Sequence, residues 1–255
     1  MDTPLGRFRV LVACMPKSGS TFLTSSIAAL PGFSQVSLVP TYGHREQELC
    51  VRALTQCEHD IGDESFVAQH HVRYSAATDL YINEFRLRPI LLLRNIFDVV
   101  PSLVDHHSLE GNVYPAAFAP HDIATRSFED QANFVTQMAI PWYFNFYASW
   151  QQYTGKHVVY YEDLVSNPEC VMRRVCDHLG LKASDDSIAS AVSQANAIGK
   201  RKNQICPGRG KRLSHANKCK IIEMANHYPD IDFTDIGITN QMRRELSLAS
   251  GSSFT

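Results

Sequence analysis

Long apolar runs are missing from this chain of 255 residues. No stretch approaches the roughly 20 apolar residues that a membrane-spanning helix needs. The run Val10 to Met15 is too short and too polar at its flanks for a secretion signal. An excess of one charge is missing as well, since 24 Lys and Arg face 26 Asp and Glu for a net charge of −2. Such a balance exerts no general pull on nucleic acid or an anionic membrane, so any site for a polyanion must be local. The seven cysteines are odd in number and form no C-x-x-C pair, which fits reduced thiols rather than a disulfide framework or structural zinc. The adjacent pairs His70-His71 and His106-His107 lack the spacing of an H-E-x-x-H metal site. These absences lead to the expectation of a cytoplasmic protein with no membrane span, no nucleic-acid partner and no metal.

What is present is a 44% apolar composition, enough for one substantial core and a single domain over residues 1–255. Phe8 to Cys14, Phe66 to His70, Pro89 to Leu93 and Val158 to Tyr161 read as strands, three of them without alternation and so buried on both faces. Between them run helical patterns. Leu23, Ile27 and Leu30 make one apolar stripe, stopped by Pro31-Gly32. Ile96, Val99, Val100, Leu103 and Val104 make a second, with Asn95 placed to cap it. A third opens at Asn167-Pro168 and closes at Gly180. Strand and helix in turn predict an α/β fold, a three-layer parallel sheet flanked by helices of the P-loop nucleotide-binding type. Two segments break the rhythm: residues 108–127, read as a lid, and the basic stretch 199–220, with eight Lys or Arg and no acid. The tail 247–255 reads as frayed.

The stretch ACMPKSGSTFLTSSI, Ala13 to Ile27, joins the first strand to the first helix. Unpaired N–H groups and the positive end of the helix dipole make such a junction an anion site. Lys17, Ser18, Gly19, Ser20 and Thr21 add a cation, hydroxyl donors and close backbone approach, so the loop is built to hold a phosphate rather than to be an ordinary solvated turn. It is not a Walker A loop, because the order G-K-[ST] is missing, and with it the hydroxyl that holds a metal beside a γ-phosphate.

MPKSGSTFL, Met15 to Leu23, resembles the 5′-phosphosulfate loop of sulfotransferases that use 3′-phosphoadenosine 5′-phosphosulfate (PAPS). LLLRNIFDVVPSLVDHH, Leu91 to His107, is similar to that family's 3′-phosphate segment, with Arg94 at a strand end and Ser102 eight residues later. VVYYEDL, Val158 to Leu164, with the helix after it, is similar to the family's Y-E-D-L element. The resemblance implies PAPS as the cofactor and adenosine 3′,5′-bisphosphate as its product. It implies that Lys17, Ser18, Gly19, Ser20, Thr21 and Phe22 bind the 5′ end, Arg94 and Ser102 the 3′-phosphate, and Tyr161 the adenine, although a core tyrosine is an even alternative. Two phosphates require two anion sites, and an arginine fork with a serine donor suits the second. Pro101 removes the bond to the Phe97 carbonyl, which is expected to kink the helix just before Ser102. CPGRGKRL, Cys206 to Leu213, is loosely similar to the family's closing R-K-G loop and nominates Arg209, Gly210 and Lys211, with Arg201 and Lys202 behind them. The alternative for this segment is a solvated loop or a weak nucleic-acid patch.

Sulfuryl transfer to a hydroxyl needs a base for the acceptor proton and positive charge for the sulfuryl oxygens. VAQHHVRY, Val67 to Tyr74, offers His70 and His71, which point to opposite faces if the strand continues. The H-V pair resembles the family's arrangement better at His71, so His71 is the expected base and Lys17 the expected charge. His106 and His107 are further candidates. Tyr114, Phe118, Trp142, Tyr143 and Phe144 suggest an apolar pocket for a small-molecule hydroxyl acceptor, or else core. Two other readings stay open: a P-loop-type kinase or nucleotide hydrolase, and a non-catalytic nucleotide-binding protein.

Overall fold

The computed structural model describes residues 7–39, 48–62, 64–110, 119–198 and 207–250. Strand β1 (Arg9–Cys14) lacks polar alternation because both of its faces are covered, and Val10 to Cys14 are fully buried. It is the middle strand of a five-stranded sheet in the order β2-β3-β1-β4-β5, with β2 (Phe33–Val36), β3 (Ser65–His70), β4 (Arg88–Leu93) and β5 (His157–Tyr160). β1 runs parallel to β3, Ala13 opposite His70, and to β4, Cys14 opposite Leu92. The chain leaves β1 for β2 on one side and later crosses β1 to reach β4. In sheets of this kind ligands bind beyond the carboxyl ends of the strands, where the order reverses.

The helices are α1 (Ser20–Ala28), α2 (Val51–Ile61), α3 (Ala76–Glu84), α4 (Ile96–Glu110), α5 (Phe128–Phe134), α6 (Ile140–Gln151), α7 (Tyr161–Ser166), α8 (Pro168–Leu179), α9 (Asp185–Ile198), α10 (His215–Asn226) and α11 (Asn240–Ser250). Local chemistry sets their ends. Asn95 Oδ1 accepts the Phe97 N–H, and Asn167 caps α8 through the Cys170 N–H ahead of Pro168 at the first helical position. Gly180 closes α8 at φ 70°, a left-handed angle that suits glycine.

The chain divides into two compact units, Met1–Leu92 with Gln152–Arg201, and Leu93–Gln151 with Lys202–Thr255. In the first, Val10, Val12, Cys14, Val67, Ile90 and Leu92 pack with Leu23 and Ile27 of α1 and with Val171, Val175 and Leu179 of α8. In the second, Phe144 and Tyr147 of α6 meet Phe233 with ring centroids 5.0 and 5.3 Å apart, and Trp142 stacks on Phe146 at 5.2 Å. A π-helical turn, Val135–Ala139, joins α5 to α6.

Several expectations change. Val158 to Tyr161 is not all strand, because Tyr161 is the first residue of α7. The lid expected over 108–127 begins inside α4, which runs to Glu110, and contains a 3₁₀ turn, Ile123–Thr125, braced by the Asp122–Arg126 ion pair. The basic stretch 199–220 ends as helix, since Ser214 accepts the Asn217 N–H and starts α10. Likewise 247–250 belong to α11 rather than a frayed tail. Tyr143 and Phe144 are fully buried, and Phe144 serves as core. Tyr114, Phe118, Arg201 and Lys202 lie outside the described residues.

Candidate active site

The loop that follows β1 turns tightly into α1. Ser18 is fully buried and its Oγ donates to the Met15 carbonyl at 2.5 Å, which folds the turn back on itself. Lys17 sits at φ 65° and Gly19 at φ 82°. A left-handed lysine is uncommon, and strain of this kind concentrates at binding and catalytic sites. Gly19 caps α1, its carbonyl accepting the Phe22 and Leu23 N–H groups. A Cβ on Gly19 would lie 3.0 Å from Tyr161 Cδ2, so the buried Tyr161 ring packs directly on the loop. Thr21 and Phe22 are half-buried, and Phe22 leans on the core beneath α1.

At the end of β3 the two histidines, His70 as its last residue and His71 just after it, are both buried, and their hydrogen bonds differ. The Leu38 N–H donates to His70 Nε2 at 2.9 Å, so that lone pair holds backbone and the proton of the neutral ring is on Nδ1. His71 Nδ1 lies 2.8 Å from the Cys14 carbonyl and 3.4 Å from Cys14 Sγ. A carbonyl only accepts, so Nδ1 carries the proton and Nε2 is the basic nitrogen of the ring. Cys14 is the last residue of β1, immediately before that loop. The tautomer of His71 is thereby set by the same strand end that launches the loop. Two residues before His71, Gln69 Nε2 donates to Ser20 Oγ at 2.6 Å.

The second unit holds the other set of candidates. Arg94 follows the last residue of β4, is 3% exposed, and donates through Nη1 to Ser102 Oγ at 3.3 Å. α4 continues through Pro101, and the serine meets the arginine across two turns of helix. On the first turn of α4, Asp98 accepts the Gly208 N–H at 2.6 Å and the Gly210 N–H at 2.7 Å, one on each oxygen. A Cβ on Gly210 would stand 2.6 Å from Phe97 Cβ and 3.1 Å from the Phe97 carbonyl oxygen, the group that Pro101 deprives of its helical donor. Glycine is therefore required where this loop meets the helix. Arg209 is buried and paired with Asp105 one turn beyond Ser102, and Arg212 approaches the same carboxylate at 3.7 Å, while Lys211 is exposed. His107, also on α4, is buried, and desolvation pushes its imidazole down to about 4. A group that weakly basic is a poor general base at neutral pH.

Four of these residues escaped sequence reasoning. Gln69 carries one faint signal, an amide inside an otherwise apolar strand. Asp98 and Asp105 look like ordinary helix charges, and Cys14 like core.

The sulfotransferase domain model matches residues 8–222. The chain belongs to the sulfotransferase family. Solved sulfotransferase structures share its fold. Mouse sulfotransferase SULT7A1 complexed with PAP is 12% identical, over 94% of this chain and 88% of that one, with a TM-score of 0.67. Retinol dehydratase in complex with androsterone and the inactive cofactor PAP is 14% identical over 93% and 83%, with a TM-score of 0.56. The sulfotransferase domain of the Synechococcus PCC 7002 olefin synthase is 16% identical over 91% and 99%, with a TM-score of 0.50. No curated protein matches the chain. Among the described residues of this sulfotransferase, no group of three or more His, Cys, Asp or Glu could hold a metal ion. Nor is any helix among them long and apolar enough to cross a membrane.

Proposed function

We propose that this sulfotransferase, as one domain over residues 1–255 in the cytoplasm, moves the sulfuryl group of PAPS to a hydroxyl of a small-molecule acceptor and releases adenosine 3′,5′-bisphosphate. The observation that carries the reading is the His71 imidazole, tethered through Nδ1 to the Cys14 carbonyl, where the anion loop begins. The donor set suits a phosphosulfate: a lysine, a helix N-terminus and hydroxyl groups meet oxyanion charge. Lys17, Ser18, Gly19, Ser20, Thr21 and Phe22 bind the 5′ end. Arg94, Ser102 and the loop Arg209, Gly210, Lys211 bind the 3′-phosphate, and the Tyr161 ring, already on Gly19, borders the nucleotide.

His71 Nε2 takes the acceptor proton as the acceptor oxygen bonds to sulfur and the bond from sulfur to the phosphate oxygen breaks. Lys17 and the loop donors stabilise the charge on the sulfuryl oxygens and the leaving phosphate. His70 is a poorer base than His71, because its Nε2 lone pair is committed to the Leu38 N–H.

A thermal-shift titration tests the reading, with adenosine 3′,5′-bisphosphate compared against ATP with magnesium. Ligand at a hundred times its dissociation constant adds about 2.7 kcal/mol of apparent stability. Selective stabilisation by the bisphosphate is expected, followed by sulfuryl transfer from PAPS to a phenol or alcohol. Selective stabilisation by magnesium ATP would overturn it in favour of a kinase or hydrolase.

A further inference from the structure

We infer that Gln69 is a positioning residue that turns the Ser20 hydroxyl into an obligate donor toward the anion in the loop after β1. The inference rests on the phosphosulfate reading above and extends it to a residue with no assigned role. Gln69 Nε2 donates to Ser20 Oγ at 2.6 Å, and both side chains are buried. A serine oxygen that receives a hydrogen bond keeps its own O–H for another acceptor, and such a chain of bonds polarises the second donor. Ser20 is the first residue of α1, a nine-residue helix, so its hydroxyl belongs to the same N-terminus whose backbone N–H groups make the anion site.

A second observation is independent of that bond. Gln69 is only 5% exposed, yet its amide oxygen has no hydrogen-bond partner among the described residues. A buried amide with an unmade bond costs more than an apolar side chain of the same size would. Its neighbours in register are apolar: Gln69 lies opposite Val12, and Val67, two residues back on the same face, is core. Packing alone would place a leucine here.

Binding of adenosine 3′,5′-bisphosphate, measured calorimetrically on the whole chain, tests the inference with wild type, Gln69→Leu, Ser20→Ala and the double variant. Each single variant is expected to lose about tenfold in affinity, equivalent to about 1.4 kcal/mol. The double variant is expected to lose no more than Ser20→Ala, because Gln69 acts through Ser20. Gln69→Leu fills the same space without the amide, so its melting temperature should match or exceed that of wild type. Gln69→Glu supplies a second readout: its carboxylate accepts the Ser20 O–H and draws it from the anion, so binding should fall below that of Gln69→Leu and recover on acidification. Wild-type affinity in Gln69→Leu, or a double-variant loss equal to the product of the single losses, overturns the inference while leaving the cofactor reading intact. A wild-type protein that does not bind the bisphosphate overturns both.

Discussion

Replacing Asp98 with Asn probes the loop that carries Arg209 and Lys211. The carboxylate holds two backbone donors, the N–H groups of Gly208 and Gly210, at 2.6 and 2.7 Å. Hydrogen bonds to a charged acceptor contribute about 1.5–3 kcal/mol each, and a buried donor left without a partner costs about 1–3 kcal/mol. Asparagine keeps one acceptor, now neutral, and turns an NH₂ group toward the other N–H. The expected loss is about 3–5 kcal/mol, borne first by the turn at 207–212 rather than by the whole domain, because this loop can open locally. Hydrogen exchange at the Gly208 and Gly210 amides should therefore accelerate by two orders of magnitude or more, an estimate at about 1.4 kcal/mol per decade. Urea unfolding should show a smaller shift of the midpoint. Affinity for adenosine 3′,5′-bisphosphate should fall as well, since the loop is proposed to meet the 3′-phosphate. Unchanged amide protection in the Asn variant would refute the latch, and unchanged affinity with lost protection would separate the loop from the ligand.

Three further outcomes are expected. His71→Ala should retain the bisphosphate and lose about 10²–10⁴-fold in the rate of transfer, whereas His70→Ala should cost stability through the orphaned Leu38 N–H; steady-state rates and melting curves on both distinguish the two histidines. Gly19→Ala forces a side chain to φ 82° and to 3.0 Å from the Tyr161 ring, and should lower the melting temperature and weaken the bisphosphate together, with unaltered binding arguing against an anion role for this turn. His107, held down to about 4 from 6.5 by burial, binds a proton more readily unfolded than folded. Stability from this group is complete above pH 6.5 and declines as pH falls toward 4, by about 3 kcal/mol in all. Denaturant midpoints of wild type and His107→Gln across that range should converge as pH falls, and parallel curves would show that His107 does not titrate as its burial requires.

Much of the first unit was legible from local pattern. Unalternating strands, the Asn167-Pro168 cap and the Gly180 stop are short-range signals, and each is realised with the expected bonds. β2 and α2 left little trace, because FSQV is a four-residue strand with one buried position and α2 buries only Leu54 and Cys57. Tyr161 was misplaced by one element, since a helix can begin on a residue whose side chain still packs like that of a strand.

The loop MPKSGSTFL and the pairing of Arg94 with Ser102 belong to the sequence itself: one is contiguous, the other spans eight residues of a strand end and a helix, so spacing alone brings them within reach. What tertiary structure alone decided is which nitrogen of each histidine carries the proton and which distant side chains meet. The proton on His71 Nδ1 depends on the Cys14 carbonyl, 57 residues away, and the lone pair of His70 is claimed by Leu38, 32 residues away. Gln69 reaches Ser20 across 49 residues, and Asp98 reaches Gly210 across 112. Hydrogen bonds of this kind act over about 3 Å in space and have no period along the chain. They arise when strands pair and helices dock, and the chemistry of the site follows from them.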